Sequence, residues 1–235
     1  MNPSMISALV EAITVMALPM IFAITLHEAA HGFVAHRLGD DTAWRMGRVT
    51  FNPIKHIDLF GTIILPLLLV FGSGGKFIFG YAKPVPVRFD RLNKPRRDMV
   101  YVALAGPVTN IILAVISALL LGTVTFLPGY FRGWVHDNLV ISAEFNIIIA
   151  VFNMLPLPPL DGGRVAVGLL PDFLAIPLAR TERYGMLILL GLLFILPLIG
   201  QHLHMDLNVV WWIVQRPVEW FANAIHWLTG IDLDQ

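Results

Sequence analysis

"MISALVEAITVMALPMIFAITLHEAAHGF", residues 5–33, runs from an apolar stretch directly into two histidines and a glutamate. Between Met5 and Leu26 the only charge is Glu11. That length suits one bilayer crossing, which takes roughly 20 apolar residues in a helix. The stretch lacks the basic start and small-residue cleavage site of a signal peptide. Its removal would also destroy the histidine motif, which follows without a break. The run therefore reads as a retained membrane helix.

The composition agrees. The 235 residues are 57% hydrophobic and 14% charged, with a mean hydropathy of +0.73. Soluble domains are nearer half apolar and about a quarter charged. The formal net charge is zero, so no nucleic-acid or acidic partner is implied. The absence of cysteine excludes disulfides and cysteine-held metals. No repeat, low-complexity tract or long polar linker divides the chain, and a single domain over 1–235 is expected.

Further apolar stretches fall at 99–127, 139–157, 185–200 and 207–229, with a shorter one at 61–71. The expected fold is an all-α polytopic membrane protein of five to six membrane segments. Basic residues are unevenly shared between the connections. Arg37, Arg45, Arg48 and Lys55 follow the first helix; Lys83, Arg88, Arg91, Lys94, Arg96 and Arg97 precede the 99–127 stretch; Arg164, Arg180 and Arg183 lie between 157 and 185. The connection at 128–138 holds only Arg132, and 201–206 holds none. Positive charge collects on the cytoplasmic side, which places the three basic groups there and the other connections outside.

Because basic groups flank both sides of 61–79, this region should not cross the membrane once. Its apolar core is short and ends in "FGSGG" (71–75). Glycines there break a helix already too short to span. A re-entrant excursion or a short β-hairpin is expected between the first helix and residue 98, with an ordinary spanning helix as the open alternative. Candidate strands are 43–51 and 76–88, the second confined to an edge by Pro84 and Pro86.

In a helix, positions four apart share a face, so His27 and His31 of "HEAAH" can reach one ion, with Glu28 a step round beside it. Histidine suits zinc, and a catalytic zinc takes three protein ligands and keeps one position open. Ionisable groups in a bilayer are costly and usually mark function. The bland reading is a helix end with solvated histidines. A third ligand belongs at the same depth. "FNMLPLPPLDGGRV", 152–165, interrupts an apolar segment with three prolines before Asp161. A helix must open there, and open backbone at membrane depth survives when it lines a cavity. Its bland reading is a helix stop and a turn.

Together "HEAAH" (27–31), "AGPVTN" (105–110) and "FNMLPLPPLDGG" (152–163) resemble the site-2 protease family of intramembrane zinc metalloproteases. "GYAKPVPV" (80–87) looks like a segment of its short bacterial members, without a PDZ or CBS domain. The resemblance covers most of 20–170, the expected catalytic core, ahead of C-terminal membrane helices at 185–229. It implies that His27, His31 and Asp161 bind one Zn²⁺ per chain and that Glu28 is catalytic. Asn153 matches an asparagine that holds substrate or the developing oxyanion.

The implied activity is an intramembrane endopeptidase that cleaves transmembrane segments of membrane proteins. A zinc-bound water attacks, with Glu28 as general base. The implied setting is a bilayer, the bacterial inner (plasma) membrane, with the site near the cytoplasm. A membrane metal-ion transporter using His27, Glu28, His31 and Asp161 as transient ligands is the alternative. Three smaller questions stay open. His56 and Asp58 form either a second metal or proton site or a helix cap; Asn110 faces the active cavity or Gly106–Pro107 merely packs; the tryptophans at 211, 212, 220 and 227 fit interfacial anchoring.

Overall fold

The computed structural model describes residues 3–72 and 80–231. Among these residues the α-helices are α1 (Pro3–Arg37), α2 (Thr42–Arg45), α3 (Leu65–Gly72), α4 (Pro95–Leu121), α5 (Gly129–Asn153), α6 (Asp161–Leu169), α7 (Asp172–Arg180), α8 (Glu182–Leu190), α9 (Leu196–Leu203) and α10 (Val209–Thr229). A π-helical turn at Gly191–Ile195 joins α8 to α9. Four helices among the described residues are long and apolar enough to cross a bilayer: Thr14–Arg37 of α1, α4, α5, and the rod Glu182–Leu203. Their outer faces carry Phe22, Ile112, Leu119, Leu187 and Ile195, all exposed. Water would penalise so much exposed apolar surface, whereas lipid does not.

The start of α4 is locally specified. Pro95 occupies a first-turn position, where its missing N–H costs nothing. Asp98, buried, accepts the Lys94 N–H at 2.8 Å, closing the turn from inside. From there α4 runs through the middle of the molecule and packs against α1, α5, α6 and α10. Ala23, Ala114, Ala118 and Ala143 are fully buried at these contacts. Small side chains let helices approach closely, which is how helices without a hydrophobic driving force between them gain packing. Helix α10 lays Val210, Val214, Val218, Ala222 and Ile225 on the α4–α5 pair, a helical spacing of three and four.

Against the five to six membrane segments expected, four candidate spans meet the criteria of length and apolarity among the described residues. Helix α10 has 21 residues, yet Gln215, Arg216, Glu219 and Asn223 dilute its hydropathy. The connection expected at 128–138 is mostly helix, because α5 already starts at Gly129.

The β-hairpin is not found. Among the described residues there is no strand. Residues 42–45, overlapping the first candidate, form α2. Residues 80–88 are extended, but their N–H groups go to unrelated partners rather than to a neighbouring strand: Tyr81 to Gly61 O, Lys83 to His56 O, Val85 to Glu28, and Arg88 to Asp40. Pro84 and Pro86, lacking N–H, deny the other edge a ladder. The apolar helix Leu59–Leu69 is too short to be a span, and residues 73–79 of the expected excursion lie outside those described. Its two ends lie side by side. Tyr81 N donates to Gly61 O at 3.0 Å, and Thr62 Oγ1 to Tyr81 O at 2.9 Å.

The three basic connections also meet at one end of the bundle. Asn93 N donates to Leu38 O at 2.8 Å and Arg88 N to Asp40 Oδ2 at 2.6 Å. Arg96 bonds Asp172 Oδ1 at 2.6 Å, and Arg164 reaches Glu182 Oε1 at 3.4 Å.

Candidate metal centre

The site grows from one helical turn of α1 facing α4. His31 Nδ1 lies 2.7 Å from the backbone carbonyl of Val102. A carbonyl only accepts, so Nδ1 carries a proton, and in the neutral ring Nε2 is the lone pair that can face a metal. His27 Nδ1 lies 2.5 Å from Asn110 Oδ1. The amide nitrogen of Asn110 faces Ala23 O at 3.3 Å, which fixes its oxygen toward His27. His27 therefore donates through Nδ1, and in its neutral ring Nε2 is the lone pair as well.

Both lone pairs point at the same place. His27 Nε2 and His31 Nε2 are 3.0 Å apart, and Asp161 Oδ2 lies 3.1 and 3.3 Å from them. All three residues are buried. Apart from these two imidazole nitrogens, no group is in place to donate to Asp161 Oδ2. With both imidazoles neutral and protonated at Nδ1, the three acceptors repel one another, and a metal ion, or a proton on one Nε2, supplies the missing positive charge. Ligands about 2.0 Å from a tetrahedral zinc stand ~3.3 Å apart, close to the spacing here. The donor set, two imidazoles and a carboxylate, is one zinc accepts. His27, His31 and Asp161 thus form a possible metal site, the one such trio among the described residues.

Asp161 reaches the trio because the chain breaks in the right place. After α5 ends at Asn153, Pro156, Pro158 and Pro159 prevent further helix, and α6 starts at Asp161 itself. The first turn of α6 is pressed against that broken segment. A Cβ on Gly162 would fall 2.1 Å from Met154 O, and one on Gly163 would fall 2.2 Å from Pro158 N. Only glycine fits at either position. Gly106 in α4 closes the opposite side: a Cβ there would lie 2.5 Å from His27 Nε2 and 2.6 Å from His31 Nε2.

The remaining candidates are placed differently. Glu28, half-buried, accepts the Val85 N–H through Oε2 at 2.7 Å, so the extended 80–88 segment lies over it. Asn153 is the last residue of α5, and its amide turns back to donate to Ile149 O at 3.0 Å. Asp58 accepts the Gly61 N–H at 2.7 Å, the arrangement of a helix cap, and His56 Nε2 donates to Thr50 O at 3.0 Å. Neither joins a metal cluster among the described residues. Asn110 does face the site. Val102 and Val85 escaped the sequence because only their backbone takes part; Asn146, expected from its place early in the 139–157 stretch to lie near the outer interface, is instead buried and accepts from Asn110 Nδ2 at 2.7 Å.

The family model described as Peptidase family M50 matches residues 15–135 and 131–196. Three relatives share the printed name "Putative zinc metalloprotease". YwhC of Bacillus subtilis is 40% identical over 195 residues, 78% of this chain and 81% of YwhC. Rip2 of Mycolicibacterium smegmatis is 31% identical over 176 residues, 74% of this chain and 64% of Rip2. MJ0611 of Methanocaldococcus jannaschii is 33% identical over 152 residues, 62% of this chain and 70% of MJ0611. No solved structure matches.

Proposed function

The chain belongs to peptidase family M50 and is a membrane zinc metalloprotease, and from that premise we propose that it cleaves transmembrane segments of membrane proteins within the bilayer. The observation that supports this reading is the convergence of His27 Nε2, His31 Nε2 and Asp161 Oδ2, three buried ligand atoms within reach of one ion. No finding favours metal transport.

These three residues would hold the zinc. When bound, the metal polarises the scissile carbonyl and makes a water molecule acidic near neutral pH. Glu28 follows His27 in the same helical turn, so its carboxylate lies beside the trio rather than in it. It takes the proton from the attacking water and delivers it to the departing amine. The Val85 N–H fixes Oε2 and leaves Oε1 for that work. Asn153 at the opened end of α5 would orient the substrate or steady its oxyanion after turning out of its intrahelical bond. An apolar cavity of about 500 Å³ lined by Leu104, Pro107, Ile111, Met154, Pro156 and Pro217 begins one residue from Gly106. Its lining suits apolar side chains of a membrane segment. The substrate helix must locally unwind there, because a helical peptide bond is shielded from attack.

The gathered basic connections support a cytoplasmic position for this end of the bundle, by the positive-inside rule, and the bacterial inner membrane as the location. The adjacent ends of the 61–81 excursion support a re-entrant path rather than a crossing. The test is cleavage of a panel of model transmembrane segments by purified protein, with and without chelator. Wild type should cleave, and chelation should abolish it. Glu28→Gln should keep its zinc and lose roughly 10²–10⁴-fold in turnover, as for lost acid–base catalysis. Near wild-type turnover in Glu28→Gln would sink the mechanism.

A further inference from the structure

Two imidazoles meet at the centre, but they are held in unlike ways. His31 is oriented by a backbone carbonyl, which no substitution removes. His27 is oriented by a side chain, Asn110. An asparagine amide can face a histidine with either end. With the NH₂ group turned to His27 Nδ1, that nitrogen would have to accept, and the proton would move to Nε2. A proton on Nε2 would occupy the position where the metal binds. The direction in which Asn110 faces therefore decides whether His27 is a ligand.

The structure fixes that direction from behind. Asn146 in α5 donates through Nδ2 to Ser142 O at 2.8 Å, and a carbonyl can only accept. Its oxygen consequently faces Asn110, whose Nδ2 donates to it at 2.7 Å. The other N–H of Asn110 goes to Ala23 O. Both donors of Asn110 are spent, and its oxygen is left for His27. Asn110 and Asn146 are 0% and 1% exposed, so water offers neither an alternative partner. Ser142 Oγ in turn accepts from Ser117 Oγ at 2.8 Å, continuing the polar line between α4 and α5.

We propose that Asn110, braced by Asn146, is a positioning residue that holds His27 in its metal-binding tautomer, so that metal affinity is set partly by the α4–α5 contact. This rests on the reading of the trio as the zinc site. The competing explanation is that the network only ties α1, α4 and α5 together. The two separate cleanly at Asn110. Asn110→Ala removes the acceptor for His27 and both donors; Asn110→Asp keeps an acceptor for His27 and loses the donors.

The experiment uses the full chain in detergent, stripped of metal, with Zn²⁺ and Co²⁺ affinities measured by chelator competition and thermal unfolding followed without metal. Asn110→Ala should bind metal about 10–100-fold more weakly, the usual loss when a ligand's supporting hydrogen bond is removed. Its Co²⁺ absorption should change in shape. Asn110→Asp should recover most of the affinity, although it unfolds at lower temperature than wild type when metal-free. Should Asn110→Ala not fold, Asn146→Ala carries the same test, with a several-fold weaker affinity expected. Wild-type affinity in the alanine variant that folds, or Asn110→Asp as weak as Asn110→Ala, overturns the inference while leaving the zinc site standing. A wild-type chain that binds neither metal overturns both.

Discussion

A buried carboxylate oxygen is tolerated only because of what occupies its surroundings. Asp161 Oδ2 is such an atom, and it faces two imidazole nitrogens. Asp161→Ala should therefore cut zinc retention sharply while the helical bundle stays folded. Metal content per chain after gel filtration checks this, and wild-type zinc in the variant would remove Asp161 from the ligand set. Gly106 makes a second prediction from shape alone. A methyl group there would stand within 2.6 Å of both Nε2 atoms, well inside van der Waals contact. Because α4 is clamped between α1, α5 and α6, the histidines rather than the helix must yield. Gly106→Ala should lose zinc and cleavage together and keep its helical circular dichroism. Retained zinc at one per chain would show that the helix has room to retreat. The three residues that meet at the candidate site were legible in the sequence, because i,i+4 histidines and an Asp after a proline break each leave a pattern. The Val102 and Val85 contacts were not, since a backbone group looks the same at every position.

At the scale of elements, the extended 80–88 segment is where sequence and structure part. Its β-branched residues and alternating pattern read as a strand, but Pro84 and Pro86 leave it no ladder. It is pinned instead one N–H at a time. The last pin is Asp40, buried at the end of α1, which accepts from Thr42 N at 3.0 Å, Thr42 Oγ1 at 2.5 Å and Arg88 N at 2.6 Å. Burial by itself would raise the Asp40 pKa. The Thr42 side chain, the Arg88 and Thr42 amides and nearby Arg91 together outweigh it and hold the pKa below the ordinary carboxylate value. A depressed folded-state pKa means the stabilisation is present above the unfolded value, about 3.9, and is lost as pH falls through the folded value. Wild type should thus lose stability on acidification below about pH 4. Asp40→Asn, whose NH₂ would oppose the donors, should cost roughly 1–3 kcal/mol near neutrality and show a flatter acid limb. Thermal unfolding in detergent from pH 3 to 7 reads both. An unchanged acid limb in Asp40→Asn would mean that other carboxylates carry the transition.

For the whole molecule, the sequence conveyed helix content better than the segment count, and its charge asymmetry carries an expectation of sidedness. Charge asymmetry survives folding because Arg and Lys must reach headgroups or water wherever the helix ends fall. Segment number depends on where hydropathy crosses a threshold, and α10 sits near it, with tryptophans and Arg216 among its valines. The structure adds a constraint that hydropathy lacks: hydrogen bonds tie the connection after α1 to the one before α4, and Arg96 ties that one to the connection after α6. All three must share one side. The turn from Gly122 to Pro128 lies across one full span from them, because α4 begins beside the first two and runs 27 residues, about 40 Å of helix. The chain has no cysteine, so single cysteines can be placed on a silent background. Arg91→Cys and Arg180→Cys should be protected in intact cells from a membrane-impermeant thiol reagent and should react once cells are opened. Gly133→Cys, near the start of α5, should react from outside. Outside labelling at residue 91 with protection at 133 would invert the protein in the membrane. Labelling at 91 and protection at 180 would break the shared side, and with it the path that brings Asp161 to His27.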